Sequence, residues 1–368
     1  MKKLLNIHYF KNKLNHSRKK MAFLLFAAVG ICGCQSTPAS SAENSARTDM
    51  SSNEKSTQLK SEKELAQDSG VIRFRDDLGQ EFEIRRPERT AALIGSFADE
   101  WIDAGGKDSL VAAAHDYFTN FSSDAQMNVE DLGEVKQINA EKLIASKPDL
   151  VIASAKNESQ KNLKDVLEQA NIPVAYFDVS NFDDYLRTLK IFSELTGDVE
   201  AYEQAGLALQ DEIDQTIERR KKADPIRVLY IRATGSSVSS KNSKGSVLGE
   251  MLSDLNTENI ADSDQMILEN LSPEAILEAN PDAIFVVYQG SDDTKARKNM
   301  DQALMASEAW NSLKAVKEGR VFEMDNKLYN LKPNDQWAKA YQKLADLLDS
   351  IEVNHSDLNQ DMALDNGK

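Results

Sequence analysis

Cysteine, histidine, positive charge and long apolar runs are all scarce in this chain, and each shortage excludes something. Its two cysteines, Cys32 and Cys34, lie close together near the N-terminus, in a stretch that reads as a processing site, so the mature protein has no internal disulfide. Of four histidines, His8 and His16 leave with that leader and His355 sits in a terminal tail, which leaves His115 in the folded body. A bare zinc or manganese site needs several converging His and carboxylate ligands, so one histidine argues against a resident metal. A hydrolytic triad has equally little to draw on, and the chain carries no GxGxxG after its first strand, no P-loop and no GxSxG elbow. With 44 basic against 60 acidic residues, a net charge of −16 and a pI near 4.8, it would be repelled by nucleic acid and by anionic membrane.

Residues 1 to 20 depart from that balance, with seven Lys or Arg and no acid, followed by the eleven-residue apolar run "MAFLLFAAVGI". That run falls short of the roughly 20 residues that a spanning helix needs. A basic segment, a short apolar segment and small residues after it describe an export signal. The sequence "ICGC" resembles a bacterial lipobox with Cys34 as the acylated residue, since Gly33 precedes it whereas Cys32 follows the bulkier Ile31. Plain secretion with two incidental cysteines is the competing reading. The next stretch, "QSTPASSAENSARTDMSSNEKSTQLKSEKELAQDSG", is polar, Ser-rich and free of aromatics, and cannot bury enough surface to order itself. About 35 such residues give a tether on the order of 30 Å end to end. The protein is thus expected to be exported and lipid-anchored on the outer side of the cell membrane.

In "VIRFRDDLGQEFEIRRP", Ile72 and Phe74, then Phe82 and Ile84, alternate with charges about Gly79, which predicts a hairpin. Thereafter the short apolar runs "AALIG", "LVAAA", "LVIAS" and "VAYFDV" alternate with helical stretches, and a second series, "IRVLYIR", "AIFVVY" and "RVFEM", repeats the arrangement. Strands apolar on both faces and spaced by helices predict parallel, doubly covered sheets. Between the two series, Asp198 to Ala223 contains no proline and places Tyr202, Ala205, Leu209, Ile213 and Ile217 at steps of three or four. A single linking helix of roughly 39 Å follows, ended by Pro225. The predicted architecture is α/β, two Rossmann-like lobes on one long backbone helix with a ligand cleft between them and only a small hinge motion. Its divisions are a signal at 1–33, tether at 34–69, N-terminal lobe at 70–197, linking helix at 198–224, C-terminal lobe at 225–351 and loose tail at 352–368.

One phrase occurs twice: "NAEKLIASKPDLVIAS" from Asn139 and "SPEAILEANPDAIFVV" from Ser272. Asn139 and Ser272 read as N-caps, with Ala140 and Pro273 at the first helical position, which places Glu141 and Glu274, 133 residues apart, in first turns. In βαβ units those helix ends lie at the carboxyl edge of the sheet, the edge where ligands bind. A single first-turn acid is commonly explained by the helix dipole, worth roughly 0.3 to 1 kcal/mol. A matched pair on two lobes points to a shared surface role.

From about Val71 to Ile351 the chain resembles the bacterial ABC-transporter substrate-binding proteins of the ferric-siderophore, haem and cobalamin class. The segments that carry the resemblance are "DDLGQEFEI", "LIGSFADEWIDAGGKDSLVAAAHD", "INAEKLIASKPDLVIAS", "LSPEAILEANPDAIFVV" and "WNSLKAVKEGRVFEM". It implies a non-enzymatic, monomeric carrier that delivers its ligand to a membrane permease, with a glutamate on each lobe pairing with permease arginines; the matching positions are Glu141 and Glu274. It also implies a tryptophan six residues before each glutamate in cobalamin binders, where this chain has Val135 and Leu268.

A ferric siderophore, large, anionic and rich in oxygen, is therefore the expected ligand, with haem or cobalamin as the alternatives and a lipid-anchored hydrolase or surface adhesin as remoter ones. Cations at strand ends suit such a chelate: Arg232, Lys136 and Lys241, the last in the Ser-rich loop "ATGSSVSSKNSKGS". Ser96, Phe97, Tyr117, Ser236, Tyr288, Lys327 and Tyr329 occupy other strand-end positions, and His115 or Tyr117 would be the candidates to touch haem iron. For each of these the plain alternative is a solvated loop residue.

Overall fold

The computed structural model describes residues 70–121, 128–290 and 293–365, with side chains to Ile351. The signal, Cys34 and the tether lie outside the described residues.

Strands β1 (Val71–Arg75) and β2 (Glu81–Arg85) form the expected hairpin, with Phe74 opposite Phe82 and their rings stacked at 4.7 Å. Gly79 turns at φ +84°, a conformation that costs glycine nothing. Asp76 accepts from Leu78 N and Gln80 N within the turn and from Tyr176 N of a distant strand, which fixes the hairpin against the first lobe.

That lobe is a parallel sheet in the order β5-β4-β3-β6-β7, from β3 (Thr90–Ala92), β4 (Leu110–Ala113), β5 (Glu130–Asp131), β6 (Leu150–Ser154) and β7 (Val174–Phe177). Successive side chains alternate between faces: Leu150 and Ile152 enter one core, Val151 and Ala153 the other. The second lobe comprises β8 (Ile226–Thr234), β9 (Val238–Lys241), β10 (Thr257–Asn259), β11 (Ala283–Gln289) and β12 (Val321–Glu323). Its parallel order is β10-β8-β11-β12, and β9 pairs antiparallel with β8. Lys241 therefore stands on a strand opposite Tyr230, not in a loop. "VSSK" gave no warning because it has one apolar residue and no alternation to read.

The linking element is helical without a break from Val199 to Arg220, but Glu203–Leu207 is a π-turn. Gly206 lies in that turn, where a Cβ would come within 2.9 Å of Leu186 and 3.0 Å of Leu189. Close approach to the Phe182–Thr196 helix thus depends on glycine, and Tyr185 Oη donates to Ala205 O at 2.9 Å. Helix widening of this kind is commonly stabilised by such an added partner.

A final helix, Trp337–Asp365, lies against the linking helix and runs on through the stretch read from sequence as a loose tail. Trp337 is fully buried with its ring edge-on to Phe182 at 6.0 Å, so the C-terminal helix is packed against the first lobe. One core accordingly passes through both lobes, holding Phe177, Ile213, Tyr230 and Leu344 together. A joint so filled supports the small hinge expected from the rod. Small-angle scattering of free and ligand-loaded protein should give nearly superimposable curves, whereas compaction of the size seen in widely opening binding proteins would contradict it.

Candidate functional site

The two repeated helices are built as their sequences dictate. In Ala140–Ala145 the Asn139 side chain accepts from Lys142 N at 3.0 Å, and in Pro273–Ala279 the Ser272 hydroxyl accepts from Ala275 N at 3.3 Å. Each helix leads back from the carboxyl edge of its sheet to the start of the next parallel strand, β6 or β11, so both N-termini stand on the edge where ligands bind. Glu141 and Glu274 are exposed there. Lys142, next to Glu141, is drawn elsewhere: its Nζ pairs with Glu130 at 2.7 Å and donates to Asp131 O at 2.9 Å. Among the described residues Glu141 has no ion-pair partner, and Glu274 only accepts from Ser272 Oγ at 3.2 Å.

At the carboxyl end of β8, Arg232 Nη2 donates to Tyr230 Oη at 3.1 Å while its Nε is buried with no partner. Lys241 stands on the neighbouring β9, opposite Tyr230. Burial and then the charge of Arg232 push the Lys241 ammonium below the usual lysine range. No described carboxylate pairs with either residue. Two cations held together without an acid form a site that an anion would relieve.

Across the joint, Lys156, two residues beyond β6, pairs with Asp178 at 3.0 Å and donates to Ser180 Oγ at 2.7 Å. It also reaches Gly245 O of the second lobe at 3.4 Å. Lys332 crosses in the other direction and lies over the Phe97 ring at 5.1 Å, its ammonium pushed down by burial. Asn334 Nδ2 donates to Ser96 O at 2.9 Å and to Asp99 Oδ2 at 2.7 Å.

That segment rests on an acidic helix, Gly95–Asp103. Glu100 is fully buried with neither carboxylate oxygen hydrogen-bonded, and burial holds its proton well above the usual range. Asp103 is pushed up to about 8 by burial, then by the charges of Asp99 and Asp335. A folded pKa above the unfolded value means that the native chain holds a proton the unfolded chain has released. The resulting stability is present at low pH and is lost as pH rises through the folded value. Between about pH 5 and pH 8 wild type should lose about 1–2 kcal/mol through this group, after allowance for solvent screening, and Asp103→Asn should lose correspondingly less in chemical unfolding. Parallel pH profiles for the two proteins would contradict that.

Residues 91–328 match the periplasmic binding protein family. The chain belongs to it. This binding protein is 26% identical over 314 residues to an uncharacterized ABC transporter substrate-binding lipoprotein, YvrC, of Bacillus subtilis (strain 168), covering 83% of this chain and 88% of that one. It is 27% identical over 257 residues to the iron-uptake system-binding protein of the same organism, covering 67% and 77%. The fold also matches the periplasmic vitamin B12 binding protein of Vibrio cholerae, with a TM-score of 0.59 and 21% identity, covering 73% of this chain and 98% of that one. The family is one of class III ABC-importer binding proteins and not of enzymes. Among the described residues no helix is long and apolar enough to cross a membrane.

Several residues expected to touch ligand are withdrawn in this binding protein. Ser96 and Phe97 are buried beneath Lys332 and Asn334, because the C-terminal segment covers the end of β3. Tyr117 is buried edge-on to Phe118, and Tyr329 is buried with its hydroxyl donated to Ala340 O at 3.1 Å. His115 stays accessible, its Nδ1 2.7 Å from Asp131 Oδ2, a hydrogen bond that raises its pKa. Tyr288 is half-buried under the Arg297 guanidinium at 4.2 Å, and Arg297 is fixed by Asp293 and Glu323. Lys136, Ser236 and Lys327 are exposed, Lys327 on an open cavity of about 310 Å³ shared with Lys332 and Asp335. Lys156, Lys332 and Asn334, which make contacts across the joint, were not among the expected site residues. Lys156 carries a sequence signal, since it lies two residues after a strand of the repeated phrase; the other two touch residues far away in the chain.

Proposed function

We propose that this binding protein captures an anionic iron chelate of the ferric-siderophore type between its lobes and delivers it to an ABC permease. It acts as a monomer held on the outer face of the cell membrane by an acylated Cys34 and a tether, and docks through Glu141 and Glu274. The observation that carries the ligand reading is the Arg232–Lys241 pair, two cations on adjacent strands in the carboxyl half of the second sheet with no described carboxylate paired to either. Guanidinium and ammonium donors suit carboxylate or catecholate oxygens. The likeness to an iron-uptake binding protein supports the same ligand class.

Cobalamin fits less well, because Val135 and Leu268 stand where corrinoid binders are expected to hold the ring between tryptophans. Haem finds a poorer set of iron ligands, with Tyr117 and Tyr329 buried and His115 held by Asp131. The test is a fluorescence titration read through Trp101, Trp310 and Trp337 against ferric catecholate, ferric hydroxamate, ferric citrate, haem and cyanocobalamin. Saturable one-to-one quenching by an anionic ferric chelate is expected. Saturation by haem or cyanocobalamin alone would overturn the reading.

A further inference from the structure

The repeated helices share a second surface feature besides their glutamates. Three residues after Glu141 comes Ile144, and three after Glu274 comes Leu277; both are exposed, at 37% and 39%. The positions just before them, Leu143 and Ile276, are buried and fix each helix to its lobe. Residues three apart share one helix face, and side chains lean toward the N-terminus, so each aliphatic group lies toward its own glutamate. The second lobe adds Met266, 55% exposed, whose carbonyl accepts from Ser272 N at 3.3 Å beside the same helix start. Isolated exposed aliphatics need no explanation. The same acid-to-aliphatic offset on the equivalent helix of both lobes does.

We propose that each docking corner is a two-part foot, an acid and an aliphatic anchor, and that its occupant is the permease. This inference rests on the docking role given above to Glu141 and Glu274. It requires of the permease, at each of two places, a basic side chain next to an apolar recess. Charge complementarity argues for that occupant. The carboxylates have no described cation, and Lys142 is turned away to Glu130, so the acid is left for an external base. The two parts have separate tasks: exposed charge guides encounter, while a desolvated aliphatic group slows departure.

The test measures binding of the full-length protein to the permease–ATPase complex in lipid nanodiscs, at low and moderate salt. Ile144→Ser with Leu277→Ser should weaken binding roughly tenfold, about 1.4 kcal/mol, through faster dissociation, with association rate and salt dependence kept. Glu141→Gln with Glu274→Gln should slow association and flatten the salt dependence. Val199→Ser, at a 65% exposed position on the linking helix, should bind as wild type. If the aliphatic double variant binds as wild type while the glutamine variant is weakened, the anchors are refuted and the docking glutamates stand. Should both double variants bind as wild type, the docking role falls and the anchors with it. An equal loss with Val199→Ser would also refute the anchors, since any exposed apolar group would then serve.

Discussion

Reversing both corner charges, Glu141→Lys with Glu274→Lys, should abolish ligand uptake by cells while leaving the affinity of the purified protein for its ligand unchanged. Both carboxylates are exposed at helix starts, outside the Arg232–Lys241 site, so their loss takes nothing from the ligand. Opposing like charges across a docking interface costs several kcal/mol, and each 1.4 kcal/mol is about tenfold, so two reversals place the loss on the order of 100-fold or more. Neutral glutamine at both positions should cost less and should lose its effect as salt rises. Stability should fall only slightly, by about 0.3 to 1 kcal/mol for each dipole interaction removed. Uptake that survives the reversal would refute the docking role, and lost ligand affinity would show that the corners belong to the binding site.

Arg232→Ala with Lys241→Ala should act in the opposite sense, removing ligand affinity without loss of fold. A hydrogen bond to a charged group contributes about 1.5 to 3 kcal/mol, so the pair is expected to account for at least a 100-fold change in dissociation constant. The unliganded variant should stay within about 1–3 kcal/mol of wild type, because relief of the buried Arg232 Nε and of Lys241, desolvated beside a like charge, is set against loss of the Arg232 hydrogen bond to the buried Tyr230 hydroxyl. A pH dependence follows from the same geometry. The Lys241 pKa is lowered, so its charge is present at low pH and lost as pH rises through a value below the ordinary lysine range. Affinity for an anionic chelate should therefore decline toward alkaline pH, and Lys241→Arg should remove that decline. Equilibrium titrations across pH test both statements; unchanged affinity in the double alanine variant would refute the cationic site.

What the sequence disclosed was local, and what it hid was contact between distant segments. Alternation in "VIRFR" and "EFEIR" gave the hairpin, and the continuous apolar runs gave strands covered on both faces. The caps at Asn139 and Ser272 follow from side-chain chemistry that acts over three residues. Asn334 donates to Ser96, 238 residues away, and no periodicity reports such a contact. Because of that crossing Ser96 and Phe97, strand-end residues by sequence, are covered. Tyr117 and Tyr329 are buried for a related reason, since an amphipathic side chain at a strand-end position fits a core as readily as a cleft. The linking helix was legible as a rod, but its π-turn was not, because the turn depends on Gly206 meeting leucines of another helix.

The most direct measurement is a crystal structure of the protein loaded with an anionic ferric chelate. One chelate is expected between the lobes, with its oxygens within hydrogen-bond distance of Arg232 and Lys241. A chelate bound away from both cations, or a loaded structure obtainable only with a corrinoid or haem, would contradict it.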